Sequence, residues 1–235
     1  MAEAVEVAGS WNVKVSGHRF DLADMRDLLQ PPHEVVEIDG ATYLRIGGID
    51  VAPDASEAQA RAIDIVARVN GALDVAKDDA QLINVENIVV RIGQDGSKTF
   101  GLLAATGRLT IRGRAALTGA AADGRVVPPA PTLERRLTAA AHVNPTVGRV
   151  LTVMGSGCAD RLYRTWELIC DDVGYDDVIA MMACTQVQLQ RFTATLNSPR
   201  HEVNKGPPPG GYMSPAEIKA FSRQMLGAWL HRLGH

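Results

Sequence analysis

Residues 119–131, Gly-Ala-Ala-Ala-Asp-Gly-Arg-Val-Val-Pro-Pro-Ala-Pro, divide this chain into two stretches that cannot share one regular pattern. The run offers no face to bury. Its residues are small, and Pro128, Pro129 and Pro131 fix φ and supply no backbone donor, so it reads as an extended linker. A domain over 1–118 and another over 132–235 follow, in a chain of 235 residues, long enough to bury a sizeable core.

The first stretch is rich in strand signals. Residues 34–38 and 41–46 are dominated by Val, Ile, Thr and Tyr and flank Asp39-Gly40, the pair a two-residue type I′ hairpin turn demands. Pro53 and Ser56 precede a helical stripe of Ala58, Ala62, Ile65, Val66, Val69 and Leu73, with Ser56 and Gln59 spaced as a capping box. Strands resume over 85–92, turn at Gln94-Asp95-Gly96, and continue over 98–104 and 108–114. Hairpin, helix and meander make a small β-rich α+β domain.

The second stretch is helical. Thr132 stands where an N-cap belongs, and Pro145 after Asn144 suits the first position of a helix. Leu162, Trp166, Ile169 and Val173 share one face. Asp176 is placed to cap a helix through Ala183, and Thr185 one over 187–196. Ser214-Pro215-Ala216-Glu217 opens a last helix that presents Ile218, Phe221, Met225, Ala228, Trp229 and Leu233 on one side. A bundle of four or five helices is expected, and the fold class of the whole is α+β.

At 46% hydrophobic and 22% charged residues, wholesale disorder is excluded. No apolar run approaches the roughly 18 residues that span a bilayer. The first residues lack the basic and apolar regions of a secretory signal, so a cytoplasmic protein away from membranes is expected. Cys158, Cys170 and Cys184 have no paired spacing and read as core thiols. Residues 1–125 carry 13 Lys+Arg against 18 Asp+Glu, and 126–235 carry 11 against 9, too balanced for bulk charge to announce a nucleic-acid binder.

Dinucleotide, P-loop, zinc-protease and serine-hydrolase motifs are missing. His231 and His235 are an i,i+4 pair without a third ligand, and Gly155-Ser156-Gly157 reads as a helix end with left-handed glycines. Asp171, Asp172, Asp176 and Asp177 lack calcium-loop spacing. No cofactor or metal is called for. Nor does the first half cluster catalytic residue types, which disfavours a small-molecule enzyme sited there.

What remains is the turn after residue 196. The helix carrying Leu189, Phe192 and Leu196 should stop before Pro199, because a residue preceding proline avoids the α region. Asn197, Arg200 and His201 then sit at a bend that Pro207–Gly211 prolongs. Those residue types suit RNA phosphodiester cleavage. An imidazole moves the 2′-OH or leaving-group proton, a guanidinium holds the phosphate, and an amide orients it, with no metal required.

This layout, an apolar helix, then a helix ending in an Asn/Arg/His turn, then a closing helix opening on Ser214-Pro-Ala-Glu217, resembles the HEPN superfamily over at most residues 158–233. That family consists of small helical bundles in bacterial defence, toxin and RNA-processing proteins. The resemblance implies RNA as partner, a metal-independent endoribonuclease, a role in antiviral defence, and a homodimer through the helical domain. It matches His201 to the motif histidine, Asn197 to its polar companion, and either Arg191 or Arg200 to the motif arginine. Nine residues separate Arg191 from His201, whereas Arg200 abuts it; the family spacing is four to six. Many members with degenerate motifs are non-catalytic. The alternative is therefore a dimeric interaction or ligand-sensing protein with a HEPN-like bundle and a protein partner.

Overall fold

The computed structural model describes residues 10–47, 52, 54–93, 97–102, 131–156, 160–197 and 207–235. The fold is α+β, an antiparallel sheet followed by helices. By contact the chain divides into two compact units, Met1–Val69 with Asp79–Pro129 and Asn70–Asp78 with Ala130–His235. The expected linker over 119–131 lies, save for Pro131, outside the described residues, as do the turn 94–96, the strand 108–114, and Pro53.

In the first unit, β1 (Ser10–Ser16), β2 (Glu34–Ile38), β3 (Ala41–Ile46), β4 (Asn84–Ile92) and β5 (Lys98–Leu102) form one sheet in the order β2-β3-β1-β4-β5, every neighbour antiparallel. The hairpin is as expected: Ile38 pairs with Ala41, and Asp39 (φ 51°) and Gly40 (φ 77°) take the two left-handed positions. The central strand, however, is β1, which the sequence reading passed over. It alternates buried Trp11, Val13 and Val15 with Asn12, Lys14 and Ser16. Asn12 is itself fully buried; it donates to Val90 O (3.3 Å) and accepts from Arg45 Nε (3.2 Å), so its polar atoms are met inside the sheet.

A short helix, α1 (Arg19–Leu28), follows β1; the long helix α2 (Ala55–Ala76) buries Ala58, Ala62, Val66 and Val69. The α2 cap differs from the expected Ser56–Gln59 box. Asp54 Oδ1 accepts from Glu57 N at 2.9 Å, while Gln59 donates to Glu86 O and Asn87 Oδ1 of β4. A long-range partner outcompetes the local one.

The second unit holds six helices among the described residues, more than the four or five expected: α3 (Leu133–Val143), α4 (Pro145–Gly155), α5 (Arg161–Val173), α6 (Tyr175–Met182), α7 (Gln186–Asn197) and α8 (Pro215–Arg232). Two of the boundaries are made by single residues. Asn144 ends α3 and caps α4 through Thr146 N (2.9 Å) and Val147 N (3.3 Å), with Pro145 at the first position. Gly174, at φ 88°, ends α5 and begins α6, so Asp176 lies within the first turn of α6 instead of capping it. Gly155 is the last residue of α4 and, contrary to expectation, is not left-handed; Gly157 lies outside the described residues.

Asn70–Asp78, the end of α2 and the loop beyond, packs with these helices, although the sequence assigns it to the first half. Ala72 and Val75 enter the same core as Leu137, Leu151, Trp166, Phe192 and Trp229. No basic residue occupies the last turn of α2, and α8 supplies the missing cations. Arg223 donates to Val75 O (2.5 Å) and Ala76 O (3.0 Å), and Lys219 to Lys77 O (2.6 Å). Carbonyls left over at the helix end, and its partial negative charge, are thereby answered from another helix. Asp78 pairs with the same two side chains, and Lys219 and Arg223 hold its carboxyl below the usual aspartate range. Among the described residues no helix is long and apolar enough to cross a membrane.

Candidate functional site

The last two turns of α7 carry Arg191 and Asn197, two of the four residues that the sequence brings forward. Thr185 begins the helix with a capping box: its Oγ1 accepts from Gln188 N (3.2 Å), and Gln188 Oε1 accepts from Thr185 N (2.8 Å). Leu189 and Phe192 face inward, where Phe192 stacks at a tilt on Phe221 (4.6 Å between centroids) and meets Trp166 edge-on. That core contact fixes the rotation of α7 and turns Arg191 and Thr195 toward the chain that returns from 207 to 214.

Arg191 is engaged there through Nε and Nη2. Its Nε donates to Gly211 O (3.0 Å), and its Nη2 to Tyr212 O (3.5 Å) and Glu217 Oε1 (3.1 Å). Only 21% of its side chain is exposed. Thr195 Oγ1 accepts from Met213 N at 2.9 Å and donates to Arg191 O. The turn between is made by glycine: Gly210 (φ 80°) and Gly211 (φ 73°) are left-handed, and Gly211 N donates to Pro208 O. Met213 then buries itself in the core just before α8.

Glu217 joins the two helices. Its Oε2 accepts from Ser214 N (2.7 Å), Ser214 Oγ accepts from Glu217 N (3.3 Å), and Oε1 meets Arg191. Hydrogen bonds from Ser214, then the Arg191 guanidinium, hold its carboxyl below the usual glutamate range. A group whose folded pKa is lowered contributes fully above its unfolded pKa, and loses that contribution as pH falls through the folded value. Glu217→Gln is therefore expected to make stability less acid-sensitive, in thermal unfolding followed from about pH 7 to about pH 3. Identical acid slopes in the two proteins would mean that the carboxylate is not held in this way.

Asn197 is the final residue of α7 and is half-buried. Six positions separate it from Arg191, about 240° of helical rotation, so the helix directs the two to different sides. Arg200 and His201 lie outside the described residues. Of the four candidates, then, Arg191 is engaged in holding the returning chain and Asn197 stands at the root of the connection that bears the other two.

No family model, curated protein or solved structure matches this chain.

Other chemistry is limited. Among the described residues no group of three or more His, Cys, Asp or Glu could hold a metal ion. Two of the four acids around Gly174 have structural partners: Asp172 accepts from Trp229 Nε1 (2.8 Å) and Asp177 from Arg232 (3.0 Å). Cys170 and Cys184 are half-buried, less enclosed than core thiols were expected to be, and Cys158 lies outside the described residues. Burial, reinforced by Asp171 and Glu167, pushes the Cys170 thiol up to about 12, and burial also raises that of Cys184, so neither forms a ready nucleophile.

The helical unit also contains a cavity of about 340 Å³ that no motif indicated. Asp74 and Val75 from α2, Met154 from α4, Arg161 and Leu162 from α5, and Ser222 from α8 line it. Ser222 is 3% exposed, and its hydroxyl has no hydrogen-bond partner among the described residues. These residues come from four helices far apart in the chain, so no local spacing could signal them.

Proposed function

We propose that the helical unit binds RNA and cleaves it without a metal, as a HEPN-type endoribonuclease, with His201 as general acid/base, Arg200 gripping the scissile phosphate and Asn197 orienting it. The observation that carries this reading is the tethering of the connection on both sides. The chain leaves α7 at Asn197, and by 210–213 it is bonded back to Arg191 and Thr195. The segment that bears Arg200 and His201 in the sequence thus leaves from and returns to one helix, which favours a site there. The engagement of Arg191 supports giving the phosphate to Arg200: a guanidinium already donating to two carbonyls and a carboxylate serves as a positioning group, and Arg200 is the neighbour of His201 in the sequence. In this proposal two copies pair through the helical unit and the activity serves defence against foreign RNA.

The test is cleavage of a fluorescent single-stranded RNA in excess chelator, with light scattering to count subunits. His201→Ala should lower the rate by about 10²-fold or more with fold and subunit count unchanged. Loss of activity on adding chelator, or cleavage indifferent to His201→Ala, overturns the proposal. RNA bound but never cleaved, with the same affinity after His201→Ala, would instead favour the non-catalytic interaction protein.

A further inference from the structure

We propose that the cavity among α2, α4, α5 and α8 is a binding site for a small, uncharged, mostly apolar molecule carrying one hydroxyl or carbonyl oxygen, which the buried Ser222 hydroxyl meets. The inference is independent of whether His201 cleaves RNA. It rests on three observations within the helical unit.

The first is size and lining. At about 340 Å³ the space lies in the range of small-molecule sites, and Val75, Met154, Leu162 and Ile218 give it largely apolar walls. The second is the unsatisfied hydroxyl. A serine within a helix ordinarily returns its hydroxyl proton to the carbonyl one turn back or shows it to water. Ser222 does neither, being 3% exposed and without a hydrogen-bond partner among the described residues, and it lines the cavity. A buried polar atom left in this way is costly unless something bonds to it, and an oxygen-bearing ligand would do so.

The third is charge, which selects a neutral ligand over an ion. Arg161 and Lys219 both line the cavity, but each already faces a carboxylate. Arg161 Nη2 lies 3.4 Å from Asp74 Oδ2, and Lys219 Nζ lies 3.3 Å from Asp78 while donating to Lys77 O. Each lining cation is therefore already engaged, Arg161 with Asp74 and Lys219 with Asp78, which Arg223 shares. An added anion would have to displace Asp74 or remain unpaired in an apolar space, whereas a neutral amphiphile bonds to Ser222 and leaves both pairs intact.

The experiment titrates the full chain with 1-octanol, 2-octanone and octanoate, following backbone amides by NMR. Expected is saturable binding of the alcohol and the ketone, tighter than that of octanoate, with shifts centred on Asp74, Leu162 and Ser222. Ser222→Ala, which keeps the helix and removes only the hydroxyl, should weaken both neutral probes about three- to tenfold. Ser222→Leu, which fills the space, should abolish binding. Absence of saturable binding at millimolar probe, affinities unchanged by Ser222→Ala, or octanoate binding tightest would each overturn the assignment.

Discussion

Gly71→Ala is expected to destabilise the helical unit by about 2–3 kcal/mol, although alanine is the better helix former. Gly71 lies inside α2 where that helix crosses α4, and a Cβ built on it would overlap the Leu151 carbonyl oxygen and press on Gly155 N. Both neighbours are backbone, so no rotamer change relieves the clash; α2 or α4 must move and disturb the core that Ala72 and Val75 share with Leu151. Against this stands a propensity gain of about 1 kcal/mol. Gly227 is the control. It is also internal to a helix, α8, but a Cβ there would meet nothing within 4 Å, so Gly227→Ala is expected to stabilise by about 0.5–1 kcal/mol. Urea unfolding of the two variants beside the parent decides the matter. Equal shifts of the same sign would show that the α2–α4 crossing is not as close as described.

Trp229→Ala should cost about 4 kcal/mol, the largest loss expected of any single truncation in the core. Trp229 is wholly buried on α8 among Met225, Leu226 and Leu230, and its removal opens a void that helices anchored on other contacts can only partly close. Trp229→Phe separates packing from polarity. It preserves most of the aromatic bulk but loses the 2.8 Å bond to Asp172 Oδ2. Asp172 is exposed and regains water, so the expected cost is about 1–2 kcal/mol. If the two variants prove equally unstable under denaturant, the indole N–H and not the packing is the dominant contribution.

Both predictions depend on tertiary contacts, and they show where the sequence could be read. The hairpin at Asp39-Gly40 needs only two left-handed residues between β-branched runs, and it forms where expected. The same holds for Asn144-Pro145, Thr185–Gln188 and Ser214–Glu217, whose capping partners lie within three residues of one another. Local chemistry failed where a remote group competed. Gln59 looks like the partner of Ser56 until β4 is in place, and then it bonds to Glu86 O and Asn87 instead. The central strand β1 carried a legible alternation of Trp11, Val13 and Val15 with Asn12 and Lys14; that Asn12 is buried was not legible, because its partners Val90 and Arg45 belong to other strands.

The candidate site divides along the same line. That α7 ends before Pro199 could be read from that proline and the helical period alone, and the helix ends at Asn197. That Arg191 is a strut could not, since its partners lie 20–26 positions away in a loop and in the next helix.

By itself the sequence determined the local elements, their caps and their turns, and with them the division into a β-rich part and a helical part, because those depend on interactions across a few residues whose geometry the backbone supplies. Only the tertiary structure decided that Asn70–Asp78 joins the helices, that α8 caps α2, and that Ser222 lies beside a cavity with no partner among the described residues. Those outcomes depend on which distant groups reach each other once the chain has closed its long loops, and no spacing along the chain encodes that directly.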